Sequence, residues 1–147
     1  MALRDWLVLI KIRIAALSGM MSAAGFLLAA GGTDHAALWT SVSGTVLTVV
    51  SASLFNMVLE RDSDARMART RHRPLPTGRI SLRAALLAAG LSGAAGLAIL
   101  FRTGTAAGLI ALASLLAYSF LYTPLKRRSP WAFLAGVAPG AAPPLIG

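Results

Sequence analysis

The chain has 147 residues, of which 56% are hydrophobic and 13% charged. An ordinary soluble domain carries about 25% charged residues, so a water-soluble fold is excluded. There is no cysteine, which rules out disulfides and thiolate-bound metal, and the net charge of +9 takes its meaning from where the arginines lie along the chain.

Measured against the ~20 apolar residues that cross a bilayer, the hydropathy predicts spans near residues 7–30, 36–59, 84–100 and 106–122. A fifth begins at 131 and is still running at 147. The first run exceeds the ~7–15 residues of a signal-peptide core, so it is read as a span. The fold class is all-α, a polytopic transmembrane helix bundle with about four complete spans and the start of a fifth. Arg4, Lys11 and Arg13 precede the first span, seven arginines from Arg61 to Arg83 follow the second, and Lys126, Arg127 and Arg128 follow the fourth. With alternating spans only Arg102 falls on the other side, so the positive-inside rule puts the N-terminus and the loop 60–81 in the cytoplasm. That topology accounts for the charge without nucleic acid; anionic membrane lipid is the natural surface for such a loop.

Between the first two spans the loop is short. The loop after the second is long, and Pro74, Pro76 and Gly78 break any helix there. The third span carries Gly90, Ser92, Gly93, Ala94, Ala95 and Gly96, small residues that let helices approach closely in lipid. Packing is the expected role of these glycines. Tyr118, Tyr122, Trp6 and Trp131 are aromatics of the kind found at membrane interfaces.

Three of the five acids, Glu60, Asp62 and Asp64, lie within five residues, and none follows Asp64. If the second span stays helical through its end, Asn56, Glu60 and Asp64 are spaced i, i+4, i+8 and share one face. Asp62 lies about 120° away at ~100° per residue, so it joins them only if the helix unwinds. Two carboxylates and an amide form an oxygen stripe suited to Mg²⁺, with no His or Cys to favour zinc. Arg66, Arg69, Arg71 and Arg73 follow, and guanidinium forks pair with phosphate oxygens. Metal and arginines together suit the departure of a diphosphate, with apolar spans alongside for a lipid tail. Simple interfacial salt bridges, such as Asp62 with Arg66, are an equally weighted reading of the same residues. His72 and His35 are read as solvated loop histidines.

Asn56-x3-Glu60-x3-Asp64 resembles the first acidic motif of the UbiA superfamily of intramembrane prenyltransferases. The longer string through Asp62, Arg66, Met67, Arg69, Thr70, Arg73, Pro74, Leu75, Pro76, Gly78 and Arg79 is similar to the heme O synthase (protoheme IX farnesyltransferase) branch. Tyr122-Thr-Pro-Leu-Lys126, the Pro139–Gly147 stretch and Lys11-Ile-Arg13 resemble further segments of that branch, so the likeness spans the chain.

The resemblance implies the N-terminal part of a single transmembrane prenyltransferase domain over residues 1–147. It implies transfer of a farnesyl group from farnesyl diphosphate to a vinyl group of heme b, giving heme O. Heme b is then a substrate, and Mg²⁺ is bound with the diphosphate. Mapped residue by residue, Asn56, Glu60 and Asp64 hold the metal, with Asp62 as accessory. Arg69, Arg73 and Lys126 meet the diphosphate, and Tyr122 lies near the reacting prenyl group. The implied location is the plasma (inner) membrane, with the C-terminal half of the domain or heme A synthase as a partner. Glu60 stands where the family has Asp and Ile12 where it has Pro, and residues 65–147 lack the second acidic motif. Turnover by this stretch alone is therefore not expected. The alternatives are another UbiA-type aromatic prenyltransferase of quinone synthesis, or a non-catalytic membrane module for heme binding or oxidase assembly.

Overall fold

The computed structural model describes residues 3–30, 34–125 and 132–147. The elements are α1 (Leu3–Leu9), α2 (Ile12–Ala30), α3 (His35–Arg66), α4 (Leu82–Thr103), α5 (Thr105–Leu116), a π-helical segment (Ala117–Tyr122), α6 (Thr123–Leu125) and α7 (Ala132–Ile146). Among the described residues, four helical stretches are long and apolar enough to cross a membrane: Ile12–Ala29, His35–Arg66, Leu82–Thr103 and Thr105–Tyr122. The protein is a multi-pass membrane helix bundle.

The first predicted span is not one helix. The chain breaks at Lys11, whose φ of 50° lies in the left-handed region, and α1 and α2 leave the break separately. A non-glycine residue is uncommon in that region. Neither Gly nor Pro marks the break in the sequence.

Helix α3 has 32 residues, about 48 Å at 1.5 Å per residue, against a hydrocarbon core of about 30 Å. It does not end where its apolar run ends but continues to Arg66, well into the stretch predicted as loop. The reason is local. Asp34 caps its start by accepting from the Ala36 and Ala37 N–H groups, each at 3.0 Å. At the other end Glu60, Arg61, Ala65 and Arg66 are good helix formers, and Arg66 complements the helix dipole. The Asp64 carbonyl, one of the helix's terminal acceptors, takes the Met67 N–H at 3.3 Å and the Thr70 hydroxyl at 3.0 Å.

Beyond Arg66 the loop forms a set of hydrogen-bonded turns, including Arg71 N–H to the Met67 carbonyl (2.9 Å) and Ile80 N–H to the Pro74 carbonyl (3.2 Å). Gly78 takes a φ of 72°, which glycine alone adopts without cost. Leu75 and Ile80 are buried in one cluster with Leu9, Leu54, Met57, Ala85 and Ala89. The loop is thus folded back against α1, α3 and α4, and its arginines are carried on a packed base.

Helices α3 and α4 form the main packing pair. Ser51 Oγ donates to the Ala89 carbonyl at 2.7 Å, and the small residues of α4 divide by face. Gly93 and Gly96 are buried, whereas Gly90, Ala94 and Ala95 are exposed. A Cβ on Gly96 would lie 2.7 Å from Thr48 Oγ1 and 2.9 Å from the Gly44 carbonyl oxygen, while one on Gly90 meets nothing within 4 Å. The same substitution should therefore act oppositely at the two sites. Gly96→Ala is expected to cost about 1–3 kcal/mol through overpacking, and Gly90→Ala to be neutral or stabilising by up to about 1 kcal/mol. Denaturant unfolding of the full-length protein in micelles checks both.

Helix α7 holds Pro139, Pro143 and Pro144 inside it, a placement tolerated in membrane helices because neighbours compensate the missing N–H groups. Its backbone at Pro144 approaches α2 so closely that only glycine fits at position 25.

Candidate functional site

The last turns of α3 present one buried polar face. Asn56, Glu60 and Asp64 are 1%, 7% and 5% exposed, values unusual for an amide and two carboxylates unless they are partnered. Asp62 is exposed on another side of the same helix, as are Arg61 and Arg66. The helical repeat therefore separates the four polar candidates into three that face inward and one that does not.

Each end of the stripe is met by a cation, one from the loop that follows α3 and one from the distant N-terminal segment. Arg73 Nη1 pairs with Asp64 Oδ2 at 2.6 Å, and the same nitrogen lies 3.7 Å from Met57 Sδ. This is the ion pair that forms here, rather than Asp62 with Arg66. Lys11, held in the break between α1 and α2, donates from Nζ to Asn56 Oδ1 at 3.4 Å. The Asn56 amide nitrogen donates in turn to Thr123 Oγ1 at 2.9 Å. Thr123 sits directly after the π-helical segment, in which Tyr118 and Tyr122 stack with ring centroids 5.4 Å apart. Thr123 Oγ1 in turn donates to the Tyr118 carbonyl at 2.8 Å.

The structure thus brings together Asn56, Glu60, Asp64 and Arg73, with the segment bearing Tyr122 on the far side. Arg69 is exposed on the loop surface, and Lys126 lies outside the described residues. Lys11, Thr123 and Tyr118 were not among the site candidates from sequence. Lys11 and Thr123 lie within the quoted motifs, but their contacts with Asn56 span 45 and 67 residues, which spacing rules do not reach. A second ion pair, Arg79 Nη1 to Asp5 Oδ1 at 3.0 Å, joins the loop to α1. Arg79 Nη2 also donates to the His72 carbonyl at 2.6 Å.

Next to this face, further along α3 into the membrane, lies a cavity of about 170 Å³. Ser18, Thr48, Ser53, Leu115, Tyr118 and Pro143 are among its walls, so it is apolar with scattered hydroxyls. Tyr118 belongs both to the cavity and to the polar face.

Among the described residues no three His, Cys, Asp or Glu side chains are grouped to hold a metal by themselves. The stripe offers two carboxylates and one amide oxygen, all hard donors. Magnesium is commonly held by one or two carboxylates and completed by substrate phosphate and water, so this donor set fits a metal that arrives with a phosphate ligand. The cations already seated on Asn56 Oδ1 and Asp64 Oδ2 mark these oxygens as a place where positive charge is stabilised.

A family model described as the UbiA prenyltransferase family matches residues 18–147. The chain belongs to the UbiA prenyltransferase family. It is 40% identical over 144 residues to a protoheme IX farnesyltransferase of Geobacter sulfurreducens, covering 98% of this chain and 53% of that protein. It is 44% identical over 149 residues to the protein of the same name from Anaeromyxobacter dehalogenans (99% of this chain, 50% of that one). The corresponding Cytophaga hutchinsonii protein is 42% identical over 141 residues (95% and 49%). The chain spans about half the length of the curated relatives it matches. No solved structure matches it significantly. As a UbiA protein it places its buried acidic stripe, its arginine loop and its membrane cavity side by side.

Proposed function

We propose that this chain supplies the metal-and-diphosphate side of a protoheme IX farnesyltransferase (heme O synthase) site. The reaction is transfer of a farnesyl group from farnesyl diphosphate to a vinyl group of heme b, followed by addition of water to leave a hydroxyethylfarnesyl substituent. The observation that carries the reading is the buried Asn56–Glu60–Asp64 face with Arg73 seated on Asp64. The names of the relatives support the choice of heme b and a farnesyl donor.

In this reading Asn56 Oδ1, Glu60 and Asp64 would hold Mg²⁺, whereas Asp62, exposed on another side of an unbroken helix, stays outside the ligand set. When bound, the ion neutralises charge that builds on the diphosphate as the allylic C–O bond breaks. Arg73, and with it Arg69 and Lys126, binds the phosphate oxygens by charge-assisted hydrogen bonds. Tyr122 and its stacked neighbour Tyr118 offer ring faces on which positive charge on the prenyl group is stabilised. The cavity beside Tyr118 takes part of the apolar chain and keeps water from the cation. The protein lies in the plasma (inner) membrane with its N-terminus and loop 60–81 cytoplasmic, following the arginine distribution. Its partners are membrane lipid and either the C-terminal half of the domain or heme A synthase.

The test is Mg²⁺-dependent formation of heme O from heme b and farnesyl diphosphate by the full-length protein, with Glu60→Gln as the site variant. Product formation that requires Mg²⁺ and is lost in the variant supports the reading. Prenylation of a hydroxybenzoate or naphthoate with heme ignored would overturn it.

A further inference from the structure

Asn56 can serve as a hard-cation ligand only through Oδ1, because a carboxamide nitrogen is a donor. Which way its amide faces is therefore a chemical question for the stripe, and two neighbours answer it independently. Lys11 Nζ carries only donors and lies 3.4 Å from one end of the amide, so that end is the oxygen. Thr123 lies 2.9 Å from the other end. Its hydroxyl has one proton, and that proton goes to the Tyr118 carbonyl at 2.8 Å, a group that can only accept. Thr123 Oγ1 is left as an acceptor, and the amide end facing it is the nitrogen.

The π-helical segment makes this possible. The Thr123 N–H also bonds the Tyr118 carbonyl, five residues back, so the wide turn brings hydroxyl and amide of Thr123 onto one oxygen. An α-helical turn would pair the Thr123 N–H with the carbonyl four residues back instead. Single π turns inside helices recur at functional sites; here the turn aims a lone pair at Asn56 across the bundle.

We propose that Thr123 is a positioning residue. By spending its hydroxyl proton on the Tyr118 carbonyl it holds the Asn56 carboxamide with oxygen away from the π segment and available to the metal. The contact from Lys11, at 3.4 Å, is long for a hydrogen bond, so it yields to an arriving ion, whereas the Thr123 contact persists. This proposal rests on the metal-and-diphosphate reading above.

The experiment is a Mn²⁺ titration of the full-length protein in micelles, followed by electron paramagnetic resonance, with a non-cleavable farnesyl thiodiphosphate present. Loss of an outer partner of a metal ligand typically weakens metal binding by about 10–100-fold, and Thr123→Val is expected to do so. Thr123→Ser, which keeps the hydroxyl, should stay within about twofold of the parent on the same scale. Introduced into Asn56→Asp, whose carboxylate presents oxygen either way, Thr123→Val should have no further effect. If Thr123→Val does not fold, Thr123→Ala carries the same expectation.

Unchanged Mn²⁺ affinity in the hydroxyl-free variant, or equal loss in Thr123→Ser, overturns the proposal. Asp64→Asn separates the two levels. If it weakens Mn²⁺ binding while Thr123→Val does not, only the positioning role falls. If it too changes nothing, the metal reading fails and the proposal with it.

Discussion

Asp64→Asn is expected to lower turnover of the full-length protein by at least about 100-fold, the scale for removing one group aimed at developing charge. Asp64 is buried, and its side chain is ion-paired to Arg73 at 2.6 Å. The substitution preserves shape and removes charge, so folding is little affected while the metal loses a carboxylate. Arg73 is also released from its partner, and its affinity for diphosphate in the absence of metal should rise. Steady-state kinetics over a Mg²⁺ series, beside metal-free binding of farnesyl diphosphate, checks both halves. Full activity in the variant would remove Asp64 from the site.

Arg73→Ala should affect stability and binding together. It strands the Asp64 carboxylate on a nearly buried face, and Arg73 is itself about a third exposed. The loss is therefore set at the scale of a charged hydrogen bond, about 1.5–3 kcal/mol, rather than that of a fully buried ion pair. The KM for the diphosphate substrate should rise. Arg73→Lys keeps the charge but not the planar fork, and should recover stability better than KM. In the double variant Asp64→Asn/Arg73→Ala the stability cost should fall below the sum of the single costs, because the charges are coupled. Additive costs would mean that the 2.6 Å pair contributes nothing.

What was legible in the sequence follows from how far each signal reaches. The stripe Asn56, Glu60, Asp64 was legible because helical periodicity is local, and the same periodicity put Asp62 off to the side. The spans were legible because apolar runs of that length have few alternatives. The end of α3 was not, since hydropathy falls at Glu60 although the residues there remain good helix formers. Nor was the packing of the loop: Leu75 and Ile80 stand among prolines, glycine and arginines, and only the fold reveals that they share a cluster with Leu9 and Leu54. Lys11 read as a flanking charge and Thr123 as part of a Tyr-x3-Lys string. Their meeting at Asn56 depends on how helices far apart in sequence pack.

Arg79 grips Asp5 of α1 with one nitrogen and the His72 carbonyl with another. The first helix and the arginine-bearing loop are thereby stapled into one mechanical unit. A shift of α1 is therefore transmitted to the arginine-bearing loop twice over, through this ion pair and through the apolar cluster that Leu9 shares with Leu75 and Ile80.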